Sequence, residues 1–306
     1  MRFLSGCHLR GEKLMSIQIT SSFRGENIKG TLYLVPTPIG NLGDMSSRAI
    51  STLQDVDLIA AEDTRNTQKL LNHFEITTKQ ISFHEYNTNE RIPQLIKKLQ
   101  MGVDIAQVSD AGMPSISDPG SELVEACVNA QIRVVPIPGP NAALTALIAS
   151  SLCPQPFLFY GFLSRKNTER RQELEELSAQ RVSLIFYEAP HRLVKTLKSL
   201  SEILGAKRRI VLCRELTKRY EEFLRGTIAE AYEWANSSEI KGEFVLIVEG
   251  NPEPQQAQSQ AILPLEEQVE LLLKNENLKP NDAIKQVAKQ NKLKKQVVYN
   301  KYHHLD

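Results

Sequence analysis

The chain has 306 residues and nearly balanced charge, 37 Lys and Arg against 36 Asp and Glu, for a formal net of +1. With 41% hydrophobic and 24% charged residues, it has the composition of an ordinary globular protein, which excludes a wholly disordered chain or a fibrous repeat. At roughly 150 residues per domain the length predicts two domains and room for an appendage. The charge balance excludes a protein that coats nucleic acid by net charge alone, but not one with a local basic face.

Residues 1–29 carry five Lys and Arg against two Glu and lack the apolar stretch of a signal peptide. They read as a disordered extension, with Met15 a second candidate start. No segment reaches the roughly 20 apolar residues of a membrane span. The four cysteines, Cys7, Cys127, Cys153 and Cys213, form no CxxC pair. Neither a zinc site nor a disulfide framework is signalled, and the expected compartment is a reducing cytoplasm.

Residues 30–153 read as a first domain. Apolar runs at Thr31–Val35, Asp57–Ala61, Val103–Val108 and Ile132–Val135 alternate with helical stretches at Ser46–Asp55, Thr64–Phe74, Glu90–Met101, Pro119–Ala130 and Pro140–Ser151. That alternation predicts βαβ units around a buried, mostly parallel sheet. The two prolines of Leu152-Cys-Pro-Gln-Pro156 stiffen a connector. A second α/β set over 154–250 follows, with strands at Phe157–Tyr160, Val182–Phe186, Arg209–Cys213, Phe223–Thr227 and Phe244–Val248. Helices at Thr168–Ser178, Leu193–Leu204 and Ile228–Ala235 fit between them. Residues 251–263, rich in Pro and Gln, read as a linker. Residues 264–306 form a small helical domain, with helices at Leu265–Leu273, Asn281–Gln290 and Lys292–Tyr302.

Ligands of open parallel sheets sit beyond the carboxyl ends of the strands, so chemistry is sought at each exit. Pro36-Thr-Pro-Ile-Gly-Asn-Leu-Gly-Asp44 follows the first strand; it is not a GxGxxG fingerprint, and its prolines remove donors that a pyrophosphate would need. Glu62-Asp63 follows the second strand; without that fingerprint it is weak evidence for a nicotinamide site. The most informative exit is Val108-Ser-Asp-Ala-Gly-Met-Pro-Ser-Ile-Ser-Asp-Pro-Gly120. Its small residues let a ligand approach the backbone, and Asp110, Ser115 and Ser117 offer polar groups. Asp118-Pro119 alone would be explained as the start of a helix. Pro136-Ile-Pro-Gly-Pro-Asn-Ala-Ala143 adds a second stiff wall, and no Walker lysine motif is present.

The second half is basic. Between Arg192 and Arg225 there are ten Lys and Arg against four acids. Lys195, Lys198 and Lys207 read as solvated helix faces. Arg165, Lys166, Arg192, Arg214 and Lys218 fall at strand exits, where they would form a phosphate-binding rim. His191 is a candidate general base, although a lone His is more often structural, and no metal spacing accompanies it.

Taken in order, PTPIGNLGD, AAEDTRNTQKLL, VSDAGMPSISDPG, PIPGPNAALTAL, GFLSRKNTER, FYEAPHR and GEFVLIVEG resemble the tetrapyrrole methylase superfamily. Within it, the chain resembles the branch that methylates small-subunit ribosomal RNA. The resemblance implies two α/β/α domains with a non-Rossmann site for S-adenosylmethionine (SAM) and a homodimer; the Cys and His spacing leaves the expectation of no metal. It implies 2'-O-methylation of a cytidine ribose in the decoding region of 16S rRNA or of the small ribosomal subunit. By position it puts Pro38, Ile39, Asp110, Ala111, Gly112, Ser115, Asn141, Ala142, Glu188 and Leu216 around SAM. The first loop departs from the superfamily's GxGPGD form, keeping Gly40 and Gly43 with prolines added. Asp63, Glu85 and Lys166 are the candidate catalytic groups near the ribose hydroxyl. Arg65 is a candidate phosphate anchor, with Arg165, Arg192, Arg214 and Lys218 as further RNA contacts.

The alternatives are a porphyrinoid C-methyltransferase, disfavoured by the basic second half, and a non-enzymatic ribosome-assembly factor that binds RNA without SAM. A nicotinamide oxidoreductase is more distant, for lack of the glycine fingerprint.

Overall fold

The computed structural model describes residues 20–21, 29–252, 264–276, 278–291 and 293–303. Most of the expected extension and of the expected linker lies outside these residues. Strands β1 (Thr31–Leu34), β2 (Leu58–Ala61), β3 (Gln80–Ser82), β4 (Ile105–Val108) and β5 (Arg133–Pro136) form one sheet in the order β3-β2-β4-β1-β5. All its pairings are parallel. Helices α1 (Ser47–Asp55), α2 (Thr64–His73), α3 (Thr88–Gln100) and α4 (Ser121–Asn129) connect the strands.

The apolar runs are continuous because this sheet is covered on both faces. Successive residues of β2 point to opposite cores. Leu58 and Ala60 join Leu95, Leu99 and Leu123, while Ile59 and Ala61 join Leu53 and Leu71. β3 is the element that the sequence pattern did not reveal. It is a half-buried edge strand of three residues, QIS, with one apolar side chain, and it exists through its pairing with Ile59–Ala61.

Strands β6 (Phe157–Phe162), β7 (Ser183–Glu188), β8 (Arg209–Arg214), β9 (Glu222–Thr227) and β10 (Phe244–Val248) form the second sheet, in the order β6-β7-β10-β8-β9. This sheet is mixed: β6 and β7 are parallel, β10 runs antiparallel between β7 and β8, and β9 is antiparallel to β8. β6, β7 and β8 therefore share one direction, and their exits lie at one end.

Helix α5 (Ala142–Ala149) follows the first sheet in sequence but packs on the second. Ala143, Ala146 and Leu147 meet Ile185, Val211 and Ile247. The opposite face of this sheet is covered by α6 (Asn167–Leu177), α7 (Leu193–Leu204) and α8 (Ile228–Ser237), through residues such as Leu174, Leu197 and Ile228.

The tail folds as α9 (Leu265–Glu276), α10 (Pro280–Gln290) and α11 (Lys295–Tyr302) around a core of Val269, Ile284, Val287 and Val298. Pro280 opens α10 in the first turn, where its missing N–H costs nothing. Among the described residues, no helix is long and apolar enough to cross a membrane.

Candidate functional site

The exits of β1, β4 and β5 face those of β6, β7 and β8 across a cleft of about 540 Å³, a volume in the usual range for small-molecule sites. The loops that form it are fixed by backbone bonds. Thr37 and Gly112 exchange N–H···O bonds, both 3.0 Å, and the Thr37 hydroxyl donates to the Ser109 carbonyl at 3.0 Å. Gly112 has φ +79, and a Cβ there would press on Ile39 at 3.3 Å; this position needs glycine for conformation as well as space. Gly40 meets the other half. A Cβ on it would lie 2.4 Å from Lys218 Cγ and 3.1 Å from the Leu216 carbonyl oxygen. Ser115, Glu215 and Thr217 hold left-handed backbones at φ 67, 50 and 65, a conformation that costs free energy in non-glycine residues.

Of the residues expected around SAM, Ile39, Asp110, Ala111, Gly112, Asn141, Ala142, Glu188 and Leu216 line this cleft. Asn141 also caps α5, its side chain accepting from the Leu144 N–H at 2.9 Å. Pro38 instead lines a smaller neighbouring cavity. Ser115 is not among the cleft-lining residues, and its buried hydroxyl has no hydrogen-bond partner.

The three candidate catalytic groups are not among the cleft-lining residues. Asp63 caps α2, accepting from the Arg65 N–H at 2.9 Å, and grips the Arg65 guanidinium at 3.0 and 2.7 Å. That guanidinium lowers the Asp63 carboxyl to about 2. Glu85 is exposed on the 3-10 turn Glu85–Asn87 beyond the edge strand β3. Lys166 is exposed and paired with Glu169 at 2.9 Å.

Two of the expected rim cations are engaged by the protein's own groups. Arg192 is only 15% exposed; it pairs with Glu188 at 3.2 Å and donates to the Leu163 carbonyl at 2.6 Å, so it joins the β6 and β7 exits. Arg214 donates to the Lys241 carbonyl at 2.7 Å and pairs with Glu222 at 3.2 Å. Lys218 does line the cleft, held by Glu215 at 2.9 Å and Glu243 at 3.0 Å. Arg65 is 86% exposed, and Arg165 is exposed as well.

One wall of the cleft is acidic. Glu62, Asp110 and Asp118 all line it, and Glu62 Oε2 accepts from the Asp110 N–H at 3.1 Å. Burial pushes the Glu62 carboxyl up, an effect that this hydrogen bond opposes. Burial likewise raises Asp118, against the pull of a hydrogen bond from Ser109. The opposite side carries the apolar and aromatic surfaces of Leu216 and of Phe162 and Tyr187, in edge contact at 5.5 Å, beside the polar groups of His191, Lys218 and Glu243. Such a cleft suits a ligand that is cationic at one end and apolar at the other.

Glu62 and Asp118 were visible in the sequence only as a weak ribose acid and a cap. Phe162 and Tyr187 sit at strand exits that were singled out for their charges. The parallel β2 and β4 place Glu62 and Asp118 at one end of the first sheet, and the parallel β6 and β7 place Phe162 and Tyr187 opposite them.

The sequence model of the tetrapyrrole (corrin/porphyrin) methylases matches residues 31–232. The ribosomal RNA small subunit methyltransferase I of Bacillus subtilis (strain 168) is 52% identical over 285 residues, 92% of this chain and 97% of the relative. That of a Synechocystis strain is 51% identical over 271 residues, 88% of this chain and 96% of the relative. Among solved structures, a cobalt precorrin-4 methyltransferase superposes with TM-score 0.55 at 15% identity, over 72% of this chain and 94% of its own. The uroporphyrin-III C-methyltransferase of Thermus thermophilus complexed with S-adenyl homocysteine superposes with TM-score 0.53 at 16% identity, over 72% and 97%. These two share the fold. On the match over residues 31–232 and these levels of identity, the chain belongs to the tetrapyrrole methylase family, in its group of ribosomal RNA small subunit methyltransferases I.

Proposed function

We propose that the protein transfers a methyl group from SAM to the 2'-hydroxyl of a cytidine in the decoding region of 16S rRNA, acting in the cytoplasm as a homodimer. The observation that carries the donor half of this reading is the cleft's acidic wall, Glu62, Asp110 and Asp118, facing an apolar side. The acceptor half rests on the close identity to relatives named for small-subunit ribosomal RNA.

The residues present fit the donor. Carboxylates of the acidic wall would attract its ammonium and sulfonium charges, and the small backbone of Ala111-Gly112 would allow close approach. Ile39, Ala142 and Leu216 exclude water. Bound there, SAM would supply an electrophilic methyl group to a ribose oxygen, the carbon–sulfur electron pair staying on sulfur.

Most of the protein's contribution is positioning, which can lower such a barrier by roughly 7–11 kcal/mol. The hydroxyl proton needs an acceptor, and in this reading Glu62 takes it, because burial makes it a stronger base than an ordinary carboxylate. Asp63 stays ionised and orients Arg65 toward a backbone phosphate. Glu85, Lys166 and Arg165 lie outside the cleft, where RNA rather than donor would meet them.

The reading is tested by titrating SAM calorimetrically and by following labelled methyl into unmodified small subunits. Binding of SAM with transfer into RNA is expected. No SAM binding, or binding with no transfer to RNA, would contradict it.

A further inference from the structure

A second cavity, of about 260 Å³, opens between the β1 exit, the first turns of α2 and the β4 exit. Of all the residues that line it, Asp110 alone also lines the main cleft. The two cavities are therefore back to back, with one carboxylate-bearing residue as their common wall. Two reactants that must come within roughly 3–3.5 Å of each other can be held one in each cavity, with their reacting atoms meeting at that wall.

The smaller cavity has a lining of its own kind. Pro38, Leu42 and Leu70 give it apolar surfaces, and Asn66 and Lys69 give it an amide and an ammonium. The Asn66 amide donates to Asp110 Oδ2 at 3.2 Å and accepts from Lys69 Nζ at 3.5 Å. With those two bonds made, its second N–H and the second lone pair of its oxygen remain at the cavity wall, the donor and acceptor pattern that reads the hydrogen-bonding edge of a nucleobase. The acidic main cleft would repel a phosphodiester; α2 instead carries Arg65 and Lys69 one turn apart on an exposed face. This helix is anchored by its buried face, Thr67, Leu70 and Leu71, the two leucines packing into the first sheet's core.

Resting on the ribose-methylation reading above, we infer that this cavity is the acceptor pocket, which takes the pyrimidine base of a nucleotide swung out of its RNA strand. Asn66 faces the base edge, Pro38 and Leu42 face the ring, Lys69 and Arg65 face the flanking phosphates, and the ribose lies at Asp110, where the cavities join. A splayed or single-stranded nucleotide is required, because a stacked and paired one offers neither its base edge nor its 2'-oxygen to such a pocket.

Asn66→Leu tests this directly, at an exposed position on α2. The assay uses the full chain, SAM, and small subunits reconstituted with either cytidine or uridine at the methylated position. Asn66→Leu is expected to lower kcat/KM at least tenfold and to bring the cytidine-to-uridine preference toward one, with the SAM dissociation constant within twofold of wild type. Leu42→Trp, at a residue 43% exposed, fills the cavity from its mouth and is expected to lower transfer similarly while sparing SAM binding.

If the wild-type protein leaves RNA unmethylated, the ribose-methylation reading itself fails. If wild type methylates RNA and both variants match its rate and base preference, the pocket assignment alone fails. A tenfold loss of SAM affinity in Asn66→Leu would place the cavity with the donor and overturn the assignment. A slower variant with its base preference intact would rule out base reading by Asn66.

Discussion

Glu62 and Asp118 are held in the cleft at a cost to the fold. A carboxyl raised by burial favours the folded state while it is protonated, and that advantage is lost as pH rises through its folded value. At neutral pH both side chains therefore weaken the protein. Glu62→Gln and Asp118→Asn are expected to raise the melting temperature at pH 7 and to weaken SAM binding; calorimetry of both variants checks the pair of effects together. In the pH profile of methyl transfer, wild-type activity falls on the acid side as Glu62 protonates, and Glu62→Gln loses that limb along with roughly 10²-fold in rate. Asp63 behaves in the opposite sense. Its carboxyl, lowered to about 2, favours the fold at every pH above its unfolded value, and the contribution fades only as pH falls toward 2. Asp63→Asn is expected to bind SAM as wild type does and to methylate RNA more slowly, because Arg65 loses its support; wild-type turnover in that variant would remove the pair from the reaction. The sequence pointed to Asp110-Ala111-Gly112 because a run of small residues after a buried strand has few purely structural uses. It could not show that Arg192 is spent on Glu188, because an arginine in a loop looks the same whether it faces solvent or a carbonyl.

At the scale of elements, the same Arg192 joins two strand exits. Its partner Glu188 is 1% exposed and also accepts from the Thr196 hydroxyl at 2.5 Å and the Ala189 N–H at 2.9 Å. Arg192→Ala leaves a buried carboxylate without its cation, a change that typically costs about 3–5 kcal/mol. Urea unfolding is expected to report a loss of that order. Weaker RNA binding with unchanged stability would instead return Arg192 to the RNA surface. The edge of the first sheet carries a different signal. Tyr86 is 94% exposed on a turn whose backbone is fixed by the His84–Asn87 capping box, and an aromatic ring presented to solvent is suited to stack on an unpaired base. Tyr86→Ala is expected to weaken RNA binding by about 1–3 kcal/mol, read by filter binding, with SAM affinity unchanged. Most strands and helices were legible because their apolar periods are long and their caps are explicit, as in Ser46 before α1. β3 was not, since three residues carry no period and only the neighbouring β2 makes them a strand.

At the scale of the molecule, the fold brings two sheets end to end, so that strand exits of both enclose one cleft. α5 secures the arrangement by following the first sheet in sequence and packing on the second. The direction of the second sheet decides which basic residues reach the cleft, and this was not readable from the chain. Its apolar runs look alike whether their neighbours are parallel or antiparallel, and β10 is inserted between β7 and β8 from far along the sequence. The helical tail has its own core, so deleting residues 264–306 is expected to leave SAM binding intact and to weaken binding to small subunits; unchanged affinity for subunits would assign the tail another role. Phosphate contacts by Arg65, Lys69 and Arg165 also predict that RNA affinity falls linearly with salt on logarithmic axes. The measurement that bears most directly on the whole account is mass-spectrometric mapping of ribose methylation after purified protein, SAM and unmodified small subunits are incubated together. The account predicts one 2'-O-methylcytidine in the 16S rRNA that is absent when SAM is withheld; an unmodified 16S rRNA, or a methyl group on a base carbon or nitrogen, would contradict it.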